Sequence, residues 1–127
     1  VCKGPHLLEE MGREVITRRV DVADREQMRS FADLVHERVP AVDLLVNNAG
    51  MGHTAPFAEQ SPEVLRAMLD VNVRALVGLT HAVLPAMRAQ GWGRIVNITS
   101  VVGLMGNPGQ ANYAAANAFL DALARHR

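Results

Sequence analysis

The chain is 127 residues long, 49% apolar and 20% charged, with 13 basic against 13 acidic side chains. That length suits one domain, and the apolar share is enough for a sizeable core. Balanced charge suggests neither nucleic acid nor an anionic membrane as partner, and the single cysteine, Cys2, excludes an internal disulfide and a cysteine metal cluster. One cysteine also suits a reducing compartment, so the expected location is the cytoplasm. No apolar run approaches the length of a membrane-spanning helix, and no signal peptide is read. The chain begins at Val1 rather than Met, so its N-terminus reads as a cut edge.

In chain order, Val1–Lys3 reads as the end of a strand, and His6–Met11 as a short helix stopped by Gly12. Val15–Val20 is expected to be a strand that ends at Asp21. Asp24 has the character of an N-cap, with Gln27 completing a capping box. Met28, Phe31, Ala32, Val35 and Val39 then mark one face of an amphipathic helix, which Pro40 ends. Leu44-Leu45-Val46 reads as a buried parallel strand running into Asn47-Asn48-Ala49-Gly50. Ser61-Pro62-Glu63 combines an N-cap, a proline at the first helical position and an acid in the first turn. The helical pattern runs on through Leu65, Asn72, Leu76, Val83 and Met87, with a kink expected at Pro85 and a stop at Gly91. Arg94–Thr99 is the next strand. A glycine-punctuated loop from Ser100 leads to an alanine-rich helix with Tyr113 and Asn117.

Alternating strands and helices argue for a parallel sheet with helices on its faces. Three strand ends carry polar residues: Asp21, Asn47 with Asn48, and Thr99 with Ser100. In a parallel sheet these ends share one edge, where open α/β sheets bind ligands. Tyr113 and Asn117 are four apart, on one helix face. Tyr113 also falls in the first helical turn, where the helix dipole favours a phenolate. A hydroxyl, a phenol and a polar helix partner can together polarise a carbonyl and exchange a proton with its oxygen. The plainer alternative is a loop serine and a helix-capping tyrosine. Asp21, Asn47 and Asn48 are also ordinary turn residues. Asn72 in an apolar helix is less ordinary, because a buried amide needs partners. His53 and His81 lack the spacing of metal ligands. Met51 and Met105 read as packing residues that would also suit an acyl pocket.

With Asp21-Val22, Asn47-Asn48-Ala49-Gly50, Asn72, Ser100 and Tyr113 in view, the chain resembles the short-chain dehydrogenase/reductase family along essentially its whole length. Ser100–Ala116 looks most like 3-oxoacyl-acyl carrier protein reductases. The tail NAFLDALARHR is similar to ketoreductase domains of polyketide and fatty acid synthases. The resemblance implies a Rossmann-like, doubly wound parallel sheet and an NAD(P)H-dependent reduction of a ketone, such as a 3-oxoacyl thioester in fatty acid biosynthesis. The substrate would be a small molecule or a carrier-bound acyl group, and the cofactor NADP or NAD, with NADP slightly preferred.

By the same resemblance, Tyr113 is the general acid, Ser100 hydrogen-bonds the carbonyl oxygen, and Asn72 holds a water of a proton relay. Asp21 and Val22 flank the adenine, while Asn48, Ala49 and Gly50 line the cofactor together with Tyr113 and Asn117. Lys3 would meet a 2′-phosphate if it follows the second strand. The full-length protein is expected to form homo-oligomers through helices near 73–88 and 112–125.

Two departures stand out. The family lysine is replaced by Asn117; synthase ketoreductases share that asparagine but place a lysine at the position of Asn72, and this chain has asparagine at both. Arg74 is the residue expected to compensate in part. The family's first strand and glycine-rich loop are also missing, so the chain reads as the middle of a longer protein: one partial NAD(P)-binding domain over residues 1–127. A dehydrogenase of another alcohol, and a catalytically weak relative kept as a binding or scaffold subunit, remain as alternatives.

Overall fold

A computed structural model describes residues 8–125. The expectations for Val1–Lys3 and for the start of the His6–Met11 helix lie outside them. Residues 8–10 are helical, and this turn closes with Gly12 N–H donating to Glu9 O and Arg13 N–H to Leu8 O.

The first long helix, α1, spans Arg25–Arg38. Asp24 caps it: its Oδ1 accepts from the N–H groups of Glu26 at 2.9 Å and Gln27 at 3.1 Å. Gln27 donates its side-chain amide to Asp24 Oδ2 at 3.0 Å, and its Oε1 accepts from Asp21 N–H at 2.9 Å. The expected capping box therefore reaches three residues further back and fixes the turn before the helix. These bonds from Gln27, backbone first, hold the Asp24 carboxyl below its ordinary value.

Strand β1 is Leu44–Asn47 and β2 is Arg94–Asn97. They pair in parallel, Leu44 opposite Arg94 and Asn47 opposite Asn97. Bonds from Arg94 N–H to Asp43 O and from Ile98 N–H to Asn47 O extend the ladder at both ends. A long helical crossover joins them, as parallel strands require. It begins as α2, Pro62–Leu69, with Ser61 Oγ accepting from Val64 N–H at 3.3 Å. It opens into a π-helical stretch at Asp70–Ala75, then continues as α3, Leu76–Ala89. Gly91, at φ +74°, ends it, with Trp92 N–H on Met87 O and Gly91 N–H on Arg88 O. A short helix α4, Val102–Met105, backs onto the last helix α5, Ala111–Arg125.

The core lies between the sheet and α3, where Leu45 packs with Val83 and Met87. Met68 of α2 is fully buried, which contributes about 1.5–3 kcal/mol. The opposite sheet face is bare: Leu44, Val46, Val96 and Ile98 are all exposed.

Three expectations need correction. Val15–Val20 forms no strand. Among the described residues the sheet has two strands only, so this segment has no neighbour to accept its backbone bonds. Leu44-Leu45-Val46 is buried on one face only, because helices cover one side of the sheet. Finally, Pro62–Ala89 is by length and composition long and apolar enough to cross a membrane, contrary to the reading of the apolar runs. The π-helical turn joins two segments into one helical run. One face of this run is buried, through Met68, Leu76, Val83 and Met87.

Candidate active site

At the carboxyl ends of the two strands lies a cleft of about 200 Å³. Asn48, Ala49 and Gly50 line one side as β1 leaves the sheet, and Thr99 as β2 leaves it. Asn72 enters from the π-helical stretch, and Tyr113 and Asn117 from α5. Six of the expected site residues therefore meet in one place.

The π-helical turn explains how Asn72 reaches the loop. Such turns insert an extra residue and re-aim side chains. Asn72 is 6% exposed, and its amide takes both polar groups of Met51: Nδ2 donates to Met51 O and Oδ1 accepts from Met51 N–H, each at 2.8 Å. The loop bearing Asn48–Gly50 is thereby pinned at its far end. Its near end is held by Asn47, a buried strand residue whose Nδ2 donates to Asn97 Oδ1 at 3.0 Å and Thr80 Oγ1 at 3.2 Å.

Asn117 is 5% exposed, and its Nδ2 donates to Tyr113 O one turn earlier, at 2.8 Å. Gly103 permits the approach of α4. A Cβ there would stand 2.9 Å from Ala118 N and 2.9 Å from Asn117 Cβ.

Ser100 does not line this cleft. Its Oγ accepts from Val102 N–H at 3.3 Å, capping the turn into α4. Asp21 and Val22 lie apart as well. Asp21 Oδ1 accepts from Ala23 N–H at 2.9 Å in a local turn. Val22 lines a smaller adjoining cavity of about 70 Å³, which shares Asn47, Asn48, Ala49 and Leu76 with the cleft. Arg74, expected to compensate in part for the missing lysine, does not line the cleft. Its Nε pairs with Asp70 Oδ1 at 2.6 Å, and its other end donates to Ala23 O at 2.7 Å. It faces a separate cavity between α1 and α3, and among the described residues no charged side chain lines the cleft.

Sequence reasoning missed Thr80, Asn97 and Gln60. Thr80 and Asn97 act through Asn47, and the only signal for that link was the polar residue at each strand end.

Residues 3–126 match the family model described as short chain dehydrogenase. The chain belongs to the short-chain dehydrogenase family. Similar members include the 3-oxoacyl-acyl-carrier-protein reductase FabG of Thermotoga maritima, 40% identical over 78% of this chain and 40% of that protein. The acetoacetyl-CoA reductase of Cupriavidus necator is 38% identical over 87% of this chain and 45% of its own length. Among solved structures, a gluconate 5-dehydrogenase from Burkholderia cenocepacia in complex with NADP and tartrate superposes with a TM-score of 0.84 at 34% identity, covering 93% of this chain and 46% of that one. The chain thus spans less than half the length of these relatives. Within the short-chain dehydrogenase family, its two-stranded sheet is part of a Rossmann-like parallel sheet.

Proposed function

We propose that the full-length protein is an NAD(P)H-dependent reductase of a 3-oxoacyl thioester. The supporting observation is the single cleft that gathers Asn48–Gly50, Asn72, Tyr113 and Asn117 in a chain of this family. Relatives named for 3-oxoacyl and acetoacetyl thioester reduction support the substrate class.

The lining fits the nicotinamide-ribose end of such a cofactor. It is built from amides and backbone groups, and Gly50 leaves its own backbone bare: a Cβ there would stand 3.5 Å from Asn72 Oδ1. Asn48, Ala49, Gly50 and Asn117 would hold that end. Among the described residues no glycine-rich loop cradles a pyrophosphate, so the other end needs groups beyond them. When bound, the cofactor supplies a hydride.

This chain's residues supply orientation and the proton. Tyr113, in the first turn of α5, donates its hydroxyl proton to the forming alkoxide; the helix dipole stabilises the phenolate left behind. Asn72 keeps the cofactor loop in place through Met51. Ser100 contacts the carbonyl oxygen only if its Oγ leaves Val102 N–H. The pairing of two copies belongs to the same proposal, through α3 and α5, whose Val77, Leu84, Phe119 and Leu123 are exposed.

The test is consumption of NADPH by the full-length protein with acetoacetyl-CoA. Turnover that disappears in Tyr113→Phe supports the reading. Saturable NADPH binding without turnover would favour the second reading, a binding subunit. The observation on its side is a cleft lined, among the described residues, by no cationic side chain.

A further inference from the structure

Gln60 stands between a single 3-10 turn, Phe57–Glu59, and the N-cap of α2, and is only 8% exposed. A buried amide costs free energy unless its polar atoms find partners. Here the investment is specific: Nε2 donates to two backbone carbonyls, Ala55 O at 2.8 Å and Gly109 O at 3.2 Å. Ala55 N–H donates to that same Gly109 O at 3.0 Å. Oε1 is left buried and unpartnered, as are both side-chain polar atoms of Asn112, three residues after Gly109. An apolar side chain would fill this site without that cost, so packing alone does not account for the glutamine.

The bonds join the loop after β1 to the turn that launches α5. That turn needs Gly109, which has φ +76° and would place a Cβ 3.1 Å from Thr54 Cγ2. Immediately after it, Gln110 N–H bonds Asn107 O and Ala114 N–H bonds Gln110 O, starting the helix that carries Tyr113 and Asn117. The loop after β1 is thus held twice: at Met51 by Asn72, on the cofactor side, and at Ala55 by Gln60, on the side of Tyr113.

We propose that Gln60 is a positioning residue for Tyr113: its amide clasps the loop at Ala55 to Gly109 and so fixes the direction in which α5 enters the cleft. This rests on the reductase reading for its kinetic consequence, but the clasp has a readout of its own. In the full-length protein, Gln60→Met keeps about the same length and volume and removes the amide, both its Nε2 donor and its unpartnered Oε1.

Amide hydrogen exchange in residues 107–114 should quicken in Gln60→Met, while exchange in residues 76–89 stays as in the wild type. The value of kcat should fall about tenfold, as misplacement of a reacting group does, with KM for NADPH held within about twofold. Unchanged exchange in 107–114, or an equal rise in 76–89, overturns the clasp, because a purely structural role would loosen both. If Gln60→Met does not fold, Gln60→Asn withdraws the same amide by one methylene and should show the same change in smaller degree. Tyr113→Phe is assayed alongside. Full activity there refutes Tyr113 as the proton donor, and an inactive wild type refutes the reductase reading; either leaves the exchange result to decide the clasp.

Discussion

At Asn117 one N–H of the amide is used on the backbone of its own helix, on Tyr113 O, and the side chain brings no charge to the phenol. A lysine there would set a positive charge beside the phenol and stabilise the phenolate that proton donation leaves. Asn117→Lys is therefore expected to raise the reductase rate of the full-length protein and move its pH optimum toward neutral. A pH–rate profile in which the variant is slower than wild type throughout would refute this account. Gly103 offers a second check. The atoms a methyl group would strike are backbone and Cβ atoms of α5, which cannot swing aside. Gly103→Ala should lower kcat and the melting temperature together, whereas Gly78→Ala, where a Cβ meets nothing within 4 Å, should lower neither. The pairing of Tyr113 with Asn117 was legible because helical periodicity puts residues four apart on one face. Gln60 was not, because its partners are main-chain carbonyls 5 and 49 residues away and leave no pattern in the side chains.

Helix ends were the best-read elements, since a cap is a local bond between residues close in sequence. Asp24 and Ser61 cap α1 and α2 as their sequences indicate. The π-helical stretch at Asp70–Ala75 was not legible, because the apolar face continues through it and only the tie between Asn72 and Met51 marks it. Val15–Val20 failed for the opposite reason: strand character is local, but a strand exists only beside another. The Asp24 cap has a pH signature. Its folded pKa is depressed, so the stability it adds is fully present above the unfolded carboxyl value of about 3.9. That stability is lost as pH falls through the lower folded value. In thermal melts of the full-length protein, Asp24→Ala should lower the melting temperature at neutral pH, and the gap from wild type should close below that range. A gap that persists undiminished in acid would mean that the carboxylate is not what stabilises α1.

Over the whole molecule, the two faces of the sheet are treated differently. On one, Leu45 is sealed by Val83 and Met87 of α3. On the other, Leu44, Val46, Val96 and Ile98 stand 41–53% exposed in adjacent positions of two strands. Each buried aliphatic side chain of this size stabilises a fold by about 1.5–3 kcal/mol, comparable in sum with the whole stability of a small domain. An apolar face of this kind on two strands whose outer edges pair with no other strand among the described residues also offers a template for wrong pairing. Residues 1–127 expressed alone are therefore expected to associate or melt without cooperativity, and to bind NADPH too weakly to saturate, since under the proposed function the described residues would hold only its nicotinamide end. Within the full-length protein the same four side chains should be protected. The comparison is made by calorimetry and NADPH titration of both proteins. A cooperative transition with micromolar NADPH binding by residues 1–127 would show that this face is covered from within the chain, by a sheet arranged differently from the one described.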